Sequence, residues 1–170
     1  MPKMLIRPFQ PGDEAAIVEI YNHYISHTTI TFEEVPLSAL EMRARIDAYT
    51  QRYPWLVCVD SEGEQGQVVG YAYATQWHAR AAYRHTAEAT VYVREGLAGR
   101  GHGKALYEAL LAALFAADCH VVLGCIALPN AASVGLHERL GFKQVAHFPE
   151  VGRKFDQWLD VGHWQITRQA

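Results

Sequence analysis

Apolar and polar positions recur along this chain with two periods, and the places where the period changes mark its elements. Residues 4–9 form a short strand pattern, closed by Pro11-Gly12. Asp13 stands where it can cap a helix to about Ser26, with Ile17, Ile20, Tyr21, Tyr24 and Ile25 on one face. Residues 27–36 are β-branched and polar and read as a loop. Ser38 with Glu41 three positions on is a capping box, and Met42, Ile46 and Tyr49 give the second helix its inner face before Pro54 ends it. Residues 55–60 and 67–77 read as strands joined by a turn over 61–66, and 78–84 as a second loop.

The middle of the chain then runs strand, glycine-rich turn, helix. Residues 86–93 (TAEATVYV) suit a well-buried strand, and from His102 the apolar positions Leu106, Leu110, Ala113, Leu114 and Ala117 keep helical spacing. Between them Gly96, Gly99, Gly101 and Gly103 fall within eight residues. Such a turn lets the backbone approach a ligand closely and opens into a helix N-terminus, whose free N–H groups favour an anion. Arg94, Arg100 and Lys104 add positive charge at the same mouth. A Walker loop would need a glycine at position 98 and a hydroxyl residue at 105, but both are alanine. The dinucleotide fingerprint also fails, because Lys104 stands where its third glycine belongs. The turn is therefore either a phosphate cradle of another kind or a ligand-free connector.

Residues 121–128 are almost continuously apolar, as a strand buried on both faces should be. A short helix follows Pro129-Asn130 and stops at Gly141, and 142–151 with 158–167 read as a closing antiparallel pair. The order β-α-α-β-β-β-α-β-α-β-β implies an α/β (α+β) fold: a central mixed sheet with helices on both faces, in one domain over residues 1–170. The strands at 86–93 and 121–128 flank one crossover helix and should be parallel, with a ligand beyond their carboxyl ends. The net charge of −3 argues against a nucleic-acid partner, and no 18-residue apolar run suggests a membrane span. Cys58, Cys119 and Cys125 lie in apolar runs and read as buried free thiols in a reducing compartment, the cytoplasm by default. The nine histidines show no metal-ligand spacing, so no metal is expected.

The turn Gly99-Arg100-Gly101-His102-Gly103 resembles the acetyl-CoA pyrophosphate loop of GNAT N-acetyltransferases, with Ala98 replacing the family's usual Arg or Gln. LPNAASVGLHERLGF resembles the family's Asn-x-x-(Ser/Ala)-x-x-x-Tyr-x-x-x-Gly-Phe segment, with His137 in the tyrosine position. Together with YNHYISHTTITFEEVP, QWHARAAYRHTAEATVYV and DVGHWQI, these blocks are similar to the phosphinothricin and methionine sulfone/sulfoximine acetyltransferases from about Leu5 to Thr167. That resemblance implies the GNAT fold, with a mostly antiparallel sheet, and transfer of acetyl from acetyl-CoA to a small amino-acid-like amine. It implies cofactor contacts from Val91, Val93, Gly99, Arg100, Gly101, His102, Gly103, Lys104, Asn130 and Ser133. It makes Glu88 the general base and His137 the donor to the leaving thiolate, and it places Thr31, Phe32, Glu33, Arg80 and Tyr83 around the acceptor. It also implies a homodimer. The residues by themselves leave alternatives: Glu88 as a salt-bridged or edge-facing carboxylate, His137 as a partly buried helix residue, Asn130 as a plain cap, and Arg80 and Tyr83 as a solvated loop.

Overall fold

The computed structural model of the chain describes residues 4–61 and 66–170; of the expected hairpin turn, residues 62–65 lie outside the described part. The strands β1 (Met4–Pro8), β2 (Trp55–Asp60), β3 (Gln67–Gln76), β4 (Thr86–Val93), β5 (Val121–Leu128), β6 (Lys143–Lys154) and β7 (Gln157–Thr167) form one sheet in the order β1-β2-β3-β4-β5-β7-β6. Every neighbouring pair is antiparallel except β4 and β5. The helices α1 (Glu14–His27) and α2 (Ala39–Tyr49) cover one face, while α3 (His102–Ala116) and α4 (Ala131–Arg139) lie on the other.

Strand alternation divides the core between the two faces. Trp55, Val57 and Val59 of β2 join Ile17, Ile25 and Ile46, whereas Leu56 and Cys58 turn to Leu106, Leu110 and Leu114 of α3. Ala72, Ala74, Ala87 and Ala89 keep the sheet surface low under α3, so the helix seats closely against β3 and β4. On β4 the alanines take that face, which leaves Thr86, Glu88 and Thr90 on the opposite one.

The capping box of α2 forms as expected, with Ser38 Oγ accepting from the Glu41 amide and Glu41 from the Ser38 amide. Asp13 departs from expectation. It starts α1 but gives no side-chain cap; its carboxylate is clamped by Arg7 of β1 at 2.7 and 2.9 Å and accepts from the Gln10 amide. A charge-assisted fork outcompetes a single amide bond. The closing hairpin runs further than its apolar pattern, to a two-residue turn in which Phe155 and Asp156 both take positive φ, matching the strand twist. The loop at 78–84 contains a single 3-10 turn, Ala81–Tyr83.

Candidate active site

The parallel pair does not stay paired. Its register ends at Ala89↔Gly124, while β4 continues to Val93 on β3 and β5 continues to Leu128 on β7. The strands part, and a cavity of about 70 Å3 opens between them, lined by Ala89, Thr90, Val91, Cys125, Asn130, Ser133, Tyr107 and His137. The glycine turn approaches the cavity wall through Gly103, where a Cβ would lie 3.6 Å from Leu136. Gly99 and Gly101 have φ of +79° and +89°, with no atom within 4 Å of where a Cβ would project. Gly101 caps α3 in the left-handed region, and the first intrahelical bond is Ala105 N–H to Gly101 O. The amides of His102, Gly103 and Lys104 therefore have no helical carbonyl to bind, and an open backbone cradle with a positive dipole end suits a pyrophosphate. Arg100 and Lys104 are exposed beside it. The His102 side chain turns inward instead, 3.6 Å from Asp60, and Arg94 is paired with Glu19 at 2.8 Å.

Along the other wall Asn130 caps α4, its Oδ1 accepting from the Ser133 amide at 3.1 Å. His137 is 6% exposed. Its Nδ1 lies 2.7 Å from the Ser133 carbonyl, which can only accept, so Nδ1 carries the proton. Nε2 is then a bare lone pair, and the Tyr107 hydroxyl, 2.9 Å away, donates to it. Burial holds the imidazole below its ordinary pKa and pushes the Tyr107 phenol up, so both groups are neutral. The pair fits because β5 has Gly124 opposite: a Cβ there would come 2.3 Å from His137 Nε2.

Glu88 stands on the opposite face of the same parting, half-buried and without an ion pair among the described residues. Burial pushes its carboxyl above the usual range, and His163 and His78 oppose that shift. Cys125, expected to be buried, is exposed, because β5 has lost β4 as a neighbour at that point. Enough protein still surrounds its thiol to push it up to about 11, with Glu88 adding repulsion. Cys58 and Cys119 are buried as expected.

Beside Glu88 a cleft of about 510 Å3 runs between Trp77, His78 and Tyr83 on one side and Leu123, Phe148 and His163 on the other. Tyr83 thus joins Glu88, whereas Arg80 is exposed just outside the wall, its carbonyl holding the Tyr83 amide. The loop after α1 is held by its own bonds. Glu33 forms a two-pronged pair with Arg45 at 2.8 Å and accepts from the Tyr21 hydroxyl; Tyr21 and Thr31 are also bonded. Phe32 packs over Gly152 of β6, and the buried Lys154 donates to the Thr31 carbonyl at 2.8 Å. Sequence reasoning missed Tyr107, Trp77, His78, His163 and Lys154. Tyr107 lies in the apolar stripe of α3 and could have been singled out as a hydroxyl needing a buried partner. Lys154 carries no local signal.

Known proteins share this fold. The model for the acetyltransferase (GNAT) domain matches residues 6–163. A phosphinothricin acetyltransferase from Sinorhizobium meliloti, solved with acetyl-CoA, superposes with a TM-score of 0.91 at 32% identity, over 96% of this chain and 88% of its own. The yncA protein of Salmonella typhimurium, solved with acetyl-CoA as its cofactor, gives 0.91 at 35%, over 96% and 93%. The chain is an acetyl-CoA-dependent N-acetyltransferase. More narrowly, it belongs to the GNAT family. It is 38% identical to the phosphinothricin N-acetyltransferase of Streptomyces coelicolor, over 94% of each chain. It is 40% identical to the L-methionine sulfoximine/L-methionine sulfone acetyltransferase of Pseudomonas paraeruginosa, over 95% of this chain and 93% of the relative.

Proposed function

We propose that the chain, working as one domain, acetylates the α-amine of a small amino-acid-like acceptor of the phosphinothricin, methionine sulfone or methionine sulfoximine type, by direct transfer with Glu88 as general base. The observation that carries this reading is Glu88 itself, an unpaired half-buried carboxylate at the parting of β4 and β5. Acetyl-CoA supplies the activated acetyl thioester. An ammonium has no lone pair, so Glu88 takes its proton first, directly or through water. A carboxyl raised by burial is the better base for that task. The amides at Gly99, Arg100, Gly101, His102, Gly103 and Lys104, with the side chains of Arg100 and Lys104, hold the pyrophosphate. Val91, Val93, Asn130 and Ser133 hold the pantetheine arm. His137 and Tyr107 face the thioester side, and His137 delivers a proton to the departing thiolate only when it is protonated, since its Nε2 is otherwise bare. Cys125, with a thiol near 11, is a poor nucleophile, which supports direct transfer over a cysteine-borne acetyl group.

Thr31, Phe32 and Glu33 close one side of the acceptor, and Tyr83 with Arg80 stands at the other. Arg80→Ala should raise KM for the acceptor roughly tenfold while KM for acetyl-CoA stays put, because a guanidinium fork at the rim is matched to a carboxylate. Gly101→Val should weaken acetyl-CoA binding as read by calorimetry. Its φ of +89° costs a β-branched residue about 1–2 kcal/mol, and the Cβ would fill the open side of the cradle. Unchanged affinity in a folded Gly101→Val protein would remove the turn from the cofactor site.

The chain works in the cytoplasm as a homodimer. The dimer is supported by Val151 and Trp158, large apolar side chains exposed on the outer hairpin. The deciding experiment is a thiol-release screen with acetyl-CoA over the three compounds and over spermidine and a peptide N-terminus. A better rate on either of the last two would transfer the reading to polyamines or proteins and leave the acetyltransferase class intact.

A further inference from the structure

Resting on the acceptor reading above, we infer that the cleft beside Glu88 selects amino acids with a large uncharged side chain, aromatic ones first, and disfavours a second anion. Its lining holds no lysine, arginine, aspartate or glutamate. The two histidines in the wall, His78 and His163, pack edge-on against aromatic rings, 5.3 Å from Tyr83 and 5.5 Å from Phe148. Arg80 lies outside the wall, and on the acceptor reading it is left for the α-carboxylate. A phosphinate or side-chain carboxylate pushed into the cleft would lose water and meet no fixed cation.

What the cleft does offer is aromatic surface in perpendicular pairs. Trp77 and Tyr83 meet at 88° with ring centres 5.2 Å apart, and Phe148 and His163 at 89° and 5.5 Å. A ring inserted between such pairs meets one face and one edge, the two arrangements its quadrupole favours. Leu123, the registered neighbour of Glu88 across the parallel pair, provides the apolar floor. A volume of about 510 Å3 exceeds what a four-carbon tail needs and falls within the ordinary range of small-molecule sites. Of the three compounds named above, phosphinothricin with its anionic tail should therefore rank last.

The test measures kcat/KM at saturating acetyl-CoA for L-phenylalanine, L-tryptophan, L-methionine sulfone, phosphinothricin and L-glutamate. The aromatic acceptors should exceed glutamate by roughly 100-fold. Val145→Arg, at an exposed edge position lining the cleft, adds the missing cation and should reduce that ratio about tenfold. Phe148→Ala should raise KM for phenylalanine about tenfold without moving KM for acetyl-CoA. Glutamate or phosphinothricin turned over as well as the aromatics would overturn the inference alone, as would a ratio unmoved by Val145→Arg. A Phe148→Ala protein that changes its sedimentation mass and not its KM would assign the cleft to a second copy of the chain. Acetyl-CoA that fails to bind in calorimetry would bring down the parent reading as well.

Discussion

Glu88→Gln is expected to lower kcat by roughly 10²–10⁴-fold while acetyl-CoA affinity stays nearly intact. The substitution keeps the shape of the side chain and removes its negative charge and its capacity to accept a proton. The pH profile should change with it. A general base works ionised, and burial has pushed this carboxyl upward, so wild-type kcat/KM should begin to fall on acidification above the usual carboxylate range. In Glu88→Gln that acidic limb should disappear. The same shift has a consequence for stability. Because the folded pKa lies above the unfolded one, stability is fully present below the unfolded pKa and is lost as pH rises through the folded value. Glu88→Gln should therefore melt higher than wild type at neutral pH, and the gain should vanish in acid below the ordinary carboxylate range. A variant with wild-type turnover would place the base elsewhere; one that is slow yet no more stable would contradict the burial argument.

The largest structural effect is expected at Gly124. A valine there would put its Cβ 2.3 Å from His137 Nε2, 2.6 Å from Cδ2 and 3.3 Å from the Tyr107 hydroxyl. His137 can move only into the small cavity beside it and only by giving up bonds, since Nδ1 is tied to the Ser133 carbonyl and the ring packs edge-on against Phe142. The Tyr107 bond must break, leaving a buried hydroxyl unpaired. Overpacking and the unpaired group together should cost about 2–5 kcal/mol, a fall in Tm of roughly 5–15 °C. The cause can be separated by a double substitution: Gly124→Ala with His137→Ala should lose less than the sum of the single changes, because removing the ring makes room for the methyl. His137→Phe, which keeps the ring and loses the acceptor for Tyr107, should reduce kcat less than Glu88→Gln does. An unchanged melt for Gly124→Val would mean that the strand yields where the packing says it cannot.

Those two sites also show what the amino-acid order could and could not reveal. Glu88 was legible because a carboxylate in an apolar strand is anomalous against its immediate neighbours. The capping box at Ser38 and the glycine turn were legible for the same reason: each is a local rule satisfied within a few residues. The pairing of Tyr107 with His137 spans 30 positions and depends on a missing side chain on a third element, so no window of sequence contains it. Asp13 carried a correct cap signal, and an arginine six residues upstream took its carboxylate. Exposure of Cys125 was hidden because an apolar run normally means two neighbouring strands, and this strand loses one of them midway. The cleft beside Glu88 draws its far wall from β6 and β7, which sheet order rather than sequence brings there.

The bond from Lys154 to the Thr31 carbonyl links positions 123 residues apart and joins the last hairpin to the loop after α1. During synthesis, β1 to β4 and α3 leave the ribosome first, and they already contain the glycine turn and the strand that carries Glu88. Thr31 emerges early too, and its loop, already tied to Tyr21 and Arg45, gains the Lys154 bond only when the last hairpin arrives. The nascent chain therefore acquires its glycine turn well before the last contact on the loop after α1.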